Sequence, residues 1–189
     1  MIKTVCTGIC FLMFFIAVSL AQTGSEHAVA VTILSADLTG LKVVAKTVDG
    51  KEQTFRFTSK TPVGQLAEAA TSRKLAGGPG YQFIIRYSVE TGEKVATAFD
   101  YVGKGPWKTF SGTLMKVDPT KRTIIVRTPE GIEGTFYAAE YCMVEDYKGA
   151  KRFIDWANVE VPQETRVKAR YTVVGVRKTV HLIEYDEEM

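Results

Sequence analysis

Apolar and polar side chains alternate with a period of two along most of this chain, and the alternation breaks at clusters of Gly, Pro, Asp and Thr. A half-buried strand shows one face to a core and the other to water, which produces that period. The pattern predicts strands near 29–36, 41–48, 53–58, 81–89 and 94–101, and again near 110–117, 122–128, 133–139, 165–174 and 178–185. Two stretches depart from it. Residues 63–75 contain GQLAEAATSRK, whose spacing suits a helix, and the run EDYKGAKRFIDW from Glu145 has a similar place further on.

The two sets of strands are two copies of one unit. DLTGLKVVAKTVDGKEQTFRF (37–57) lies without a gap over DPTKRTIIVRTPEGIEGTFYA (118–138), an offset of 81 residues. RYSVETGEKVATAFDY (86–101) lies in the same way over RYTVVGVRKTVHLIEY (170–185), at an offset of 84. Two collinear blocks argue against chance. Each unit reads strand, strand, strand, helix, strand, strand, with turns at Asp49-Gly50 and Glu130-Gly131. The fold class expected is mainly β: two tandem five-stranded OB-like barrels, each with a short helix between strands 3 and 4. A β-sandwich would need more strands than about 80 residues supply. The expected domains are a leader at 1–21, a first repeat at 22–101, a linker at 102–107 and a second repeat at 108–189.

The carrying pattern is Asp37-x-Thr39 or Asp118-x-Thr120, an alternating strand, Asp/Glu-Gly, Thr-Phe at 54–55 and 135–136, and a closing Arg-Tyr strand. It resembles the small OB-like barrels, single or in tandem, of exported bacterial proteins of unassigned function. The resemblance covers nearly all of the chain after the leader. It implies a fold and no activity.

Lys3, the apolar run Ile9 to Leu20 and Ser19-Leu20-Ala21 read as a secretory signal cleaved before Gln22. The uncharged run is short for a membrane anchor. A periplasmic or secreted protein without a membrane span is therefore expected. After cleavage Cys142 is the only cysteine, so no internal disulfide can form and stability must come from burial. Lys plus Arg number 24 against 21 Asp plus Glu, and neither half is strongly charged. Nucleic acid as main partner thus lacks its usual electrostatic footprint.

Residues kept by both copies, such as Asp37 and Asp118 or Phe55 and Phe136, read as turn and core positions. Residues that one copy alone carries are the candidates for function. Arg166, Lys168 and Arg170 alternate with apolar residues, so a strand puts the three on one face, which Lys121, Arg122 and Arg127 would join if their strand lay beside it. The aromatic middle segment of the second unit adds Tyr147, Lys148, Lys151, Arg152, Phe153 and Trp156, either stacking on a ligand or plugging the barrel end. Together these suggest a non-catalytic binding module for a protein or an anionic polymer of the cell envelope.

Two alternatives use other residues. Some periplasmic copper-carrying proteins are similar small barrels with a histidine, methionines and a stacked tryptophan; here Cys142, Met143 and His181 are candidate soft ligands, with Met115 and Trp107 as further candidates, but their spacing matches no such motif. A thiol enzyme would need Cys142 and His181 within hydrogen-bond reach. The bland reading makes Cys142 a buried small hydrophobe and His181 a half-buried strand residue, and it leaves His27 in a loose segment before the first strand. No motif for a nucleophilic serine, a zinc protease, a phosphate loop or a dinucleotide occurs, so neither a cofactor nor an enzyme activity is expected.

Overall fold

The structure, a computed structural model, describes residues 25–71, 80–158 and 164–185; the leader reading at 1–21 lies outside them. The first sheet is built from β1 (His27–Asp37), β2 (Lys42–Thr47), β3 (Glu52–Arg56), β4 (Tyr81–Glu90) and β5 (Glu93–Lys104), with helix α1 (Gly64–Thr71) between β3 and β4. It closes into a barrel in the order β1-β2-β3-β5-β4. Strand β4 returns to β1, and β3 meets β5 in parallel at Arg56 and Val95.

The second half repeats this plan. Its strands are β6 (Lys108–Asp118), β7 (Thr123–Arg127), β8 (Glu133–Asp146), β9 (Gly149–Arg152), β10 (Arg166–Val174) and β11 (Arg177–Tyr185), with α2 (Phe153–Ala157) after β9. The order is β11-β10-β6-β7-β8-β9, and β11 also pairs in parallel with β8. That extra pairing makes a ring of β6, β7, β8, β11 and β10, the order of the first barrel. Closure removes the unpaired edges that would otherwise invite association.

The copies agree in fine detail because the same local chemistry repeats. Gly50 and Gly131 turn at φ +85° and +83°. In each turn the glycine N–H donates to a threonine carbonyl three residues back, Thr47 or Thr128. Asp37 accepts from the Gly40 N–H at 2.8 Å and Asp118 from the Lys121 N–H at 2.8 Å. The β1 bulge at Ile33–Ser35 recurs in β6 at Leu114–Lys116. Phe55 and Phe136, both fully buried, each take an edge-on tyrosine, Tyr87 at 5.4 Å and Tyr171 at 5.0 Å. Each ring contributes burial worth about 2–3 kcal/mol to its barrel. Leu66 and Ala69 of α1 cap the first core, and Phe153 and Trp156 of α2 cap the second.

Two expectations need correction. The run from Glu145 is helical only from Phe153 on: β8 continues through Asp146, turns at Tyr147-Lys148, and returns as β9. The positive φ of Gly149 (+115°) opens that turn, and the Ala150 N–H donates to the Glu26 carbonyl, so the extra hairpin is held against the first barrel. His27 is not loose either. It opens β1, and its Nδ1 lies 2.7 Å from Glu145 Oε1. Strand β5 also runs through Lys104, which leaves only residues 105–107 between the sheets.

A third apolar cluster joins the barrels: Ala28, Ala30 and Ile84 of the first against Met143 and Leu182 of the second, with Trp107 packed on it. The Trp107 indole donates to the Val31 carbonyl at 3.0 Å. Glu145 clasps the start of β1, accepting from the Ala28 N–H at 2.8 Å as well as from His27.

Candidate functional site

The basic strand of the second unit does not form the surface expected of it. Arg166 is exposed, but Arg170 is 5% exposed and committed within the protein. Its guanidinium bonds Glu184, Thr109 Oγ1 at 2.9 Å and Asp49 of the first barrel at 3.2 Å. Alternation does bring the three cations to one face, yet the far end of that face meets the other barrel, so Arg170 is an inter-barrel tie. Lys168 is half-buried. Lys121, Arg122 and Arg127 do not join, because β10 lies between β6 and β11, away from β7. Arg122 instead donates to the Ala139 carbonyl, and Arg127 pairs with Glu133.

The aromatic segment is a plug. Phe153 is 1% and Trp156 5% exposed, and the Trp156 indole donates to the Tyr185 hydroxyl at 2.9 Å. Neither ring offers a face to a ligand. Lys151 and Arg152 are exposed on β9, and Lys151 reaches Asp146 at 3.3 Å.

The soft residues are separated. Cys142 points into the second core, where burial pushes its thiol far above the ordinary range. Met143, next along β8, points the other way into the joining cluster, as successive strand residues must. His181 stands edge-on to Trp107 at 5.9 Å, with Nε2 2.9 Å from Thr172 Oγ1. Burial pushes its imidazole down to about 4, so it is neutral near pH 7. Among the described residues no group of three or more His, Cys, Asp or Glu could hold a metal ion.

An open groove with converging polar groups lies on the first barrel. It is about 620 Å³ and runs across β2 and β3, between the β1–β2 turn at Gly40 and the β4–β5 turn at Gly92. Lys42, Arg56 and Lys94 supply three cations, Gln53 and Thr54 neutral polar groups, and Glu93 the single carboxylate. Lys94 is held: Nζ donates to Gln53 Oε1 at 2.6 Å and lies 5.1 Å from the Tyr87 ring centre. Partial burial lowers its pKa. Arg56 touches Glu93 through one nitrogen at 3.2 Å, both side chains remaining more than half exposed.

The second barrel carries different residues at most of the positions that line this groove. At offsets of 81 and 84, Gly40 and Gly92 become Lys121 and Val176, Lys42 becomes Thr123, and the Arg56–Glu93 pair becomes Tyr137–Arg177. Arg177 then lies over Tyr137, 4.3 Å from the ring centre. Gln53 becomes Gly134, and a side chain there would collide with Phe136 and Phe110, which pack together at 5.2 Å. Two of the three cations, Lys42 and Arg56, thus have no basic counterpart at the same positions of the second copy.

Comparing the copies could have revealed this groove from sequence. A filter for residues unique to one copy picks out Lys42, Arg56 and the two rim glycines of the first unit as readily as the basic strand of the second. Lys94 would have escaped it, since Lys178 matches it.

No family model matches the chain, and no curated protein matches it. Among solved structures, a crystal structure of silver-bound CusF aligns over 43% of this chain and 100% of its own, at 9% identity and a TM-score of 0.32. So loose a likeness says nothing about a site. No helix among the described residues is long and apolar enough to cross a membrane.

Proposed function

We propose that this protein is a non-catalytic binding module of the cell envelope, and that it holds an extended anionic polymer across the β2–β3 face of its first barrel. The carrying observation is the groove itself. It is open because glycines form both rims, and three cations face a single carboxylate there. In OB-type barrels this face and the two loops beside it are the surface on which oligonucleotides and oligosaccharides lie. The near-neutral charge of the whole chain favours a polymer of moderate charge, read locally, over nucleic acid captured by a long-range field. Arg56 offers a carboxylate, sulfate or phosphate a planar fork of donors, because Glu93 occupies only one of its nitrogens. The leader reading supplies the envelope location. A non-catalytic role is supported by the buried thiol of Cys142 and by the distance in role between it and His181, which is spent on Thr172 and Trp107.

The test is calorimetric titration of the chain from Gln22 with a heparin hexasaccharide and an oligogalacturonate, at low and moderate salt. Binding that weakens with salt, and that drops about tenfold or more in K42E/R56E while R166E leaves it unchanged, is the expected result. Loss of binding in R166E with K42E/R56E unaffected would return the site to the second barrel.

A further inference from the structure

The β10–β11 turn of the second barrel carries Val173, Val174, Gly175 and Val176, where the first barrel has Val89, Glu90, Thr91 and Gly92. The fold does not require the change, since the same turn closes in both copies. Nor do the valines serve the core. Val174 is 74% exposed and Val176 102%, so the tip stands clear of the protein, turned by Gly175 at φ +61°. A single exposed valine would mean nothing, but three together at a projecting tip are a feature.

What surrounds the tip narrows its occupant. The parallel pairing of Thr179 with Tyr137 sets Val176 level with Gly134, close along the chain to Ile132, which is 61% exposed in the β7–β8 turn. Just behind the valines stand Arg177, over the partly exposed Tyr137 ring, and Lys178, whose ammonium lies 5.6 Å from the Phe136 ring centre. In the neighbouring turn Glu133 is paired with Arg127 and Glu130 is an exposed carboxylate bonded to Thr128, so Arg177 and Lys178 still leave the region net positive. Aliphatic residues at the tip, a tyrosine behind them and cations beside it form the sequence of layers met on entering an anionic bilayer: acyl chains, interface, headgroups. The tip is a convex prong. A protein partner would more often receive such a prong in a groove lined from its own side, whereas a bilayer needs only the layering seen here.

We infer that the Val173–Val176 prong anchors the protein to a membrane surface bearing anionic phospholipids, a function separate from the polymer groove of the first barrel. The chain from Gln22, free of the apolar leader, is sedimented with vesicles of phosphatidylcholine alone and with vesicles containing phosphatidylglycerol; a V176W variant is followed by fluorescence. The protein should pellet with the anionic vesicles, and V176W emission should shift to the blue on adding them. V174S/V176S should pellet about fivefold less at a nearly unchanged melting temperature, since the replaced side chains are largely exposed. Equal pelleting of V174S/V176S and the parent, no pelleting with either vesicle, or equal pelleting with both vesicles would each overturn the inference. So would concentration-dependent self-association abolished by V174S/V176S, which would make a second copy the occupant.

Discussion

Lowering the pH should destabilise this protein through His181, and the effect can be sized. Burial against Trp107 holds the imidazole at about 4, against an ordinary value of 6.5. The folded state therefore binds a proton more weakly than the unfolded chain. Stability is full above pH 6.5, falls as the pH drops from there towards 4, and levels off below. The shift of about 2.5 units corresponds to about 3 kcal/mol at 1.36 kcal/mol per unit, and partial solvent access at the ring reduces the realised figure to about 1.5–3 kcal/mol. Glu145, which closes the same junction, acts the other way. Burial raises its pKa, so the folded state holds its proton more tightly and gains stability as the pH falls through that range. The wild-type curve is thus a sum, and a substitution is needed to isolate the histidine. Threonine is the natural choice, because Thr97 stands at the equivalent position of the first copy. Urea unfolding of wild type and H181T at pH 7, 6, 5 and 4 gives the difference directly. The stability of the wild type relative to H181T should fall by about 1.5–3 kcal/mol between pH 7 and 4. Parallel curves would refute the buried, neutral histidine.

Other consequences are simpler. Gly131→Ala places a side chain at φ +83° and should cost about 1–2 kcal/mol in chemical denaturation, as should Gly50→Ala at +85°, since both turns have one geometry. Arg170→Met should cost about 2–3 kcal/mol by leaving Glu184 unpaired near the junction, whereas Asp49→Asn, at the exposed end of the same tie, should cost under about 1 kcal/mol; thermal melts of both separate these cases. Cys142 should resist iodoacetamide in the native protein and react readily in urea, as mass spectrometry would show, because its thiol is sealed in the second core.

Strand positions, both glycine turns and the barrel class were legible because alternation, turn residues and the two offsets all point to one plan. The agreement is closest where local chemistry alone decides, as at Asp37 and Asp118 or Gly50 and Gly131. What escaped were contacts between the copies. Arg170 reads as a solvated strand cation until Asp49 of the other barrel is seen to meet it. Glu145 and His27 are separated by more than a hundred residues, and no periodicity links them. The extra β8–β9 hairpin was hidden by residues with good helix propensity, such as Lys, Ala and Glu. Its pairing to β8 and its bond to Glu26 are tertiary effects that override a weak local preference. Phe153 and Trp156 had two readings, and burial decided for the plug. The groove of the first barrel depends on what is missing at Gly40 and Gly92, and a missing side chain leaves only a faint mark in a hydropathy pattern.

Amide chemical shifts of the isotope-labelled chain from Gln22, followed while a heparin hexasaccharide is titrated in, report most directly on where a polymer lies. Shifts should concentrate on Gly40, Lys42, Thr54, Arg56, Gly92 and Lys94, with Lys121, Tyr137 and Arg177 of the second copy unmoved. Shifts centred on Arg166 and Lys168, or small uniform changes over both barrels, would contradict a ligand face on the first barrel.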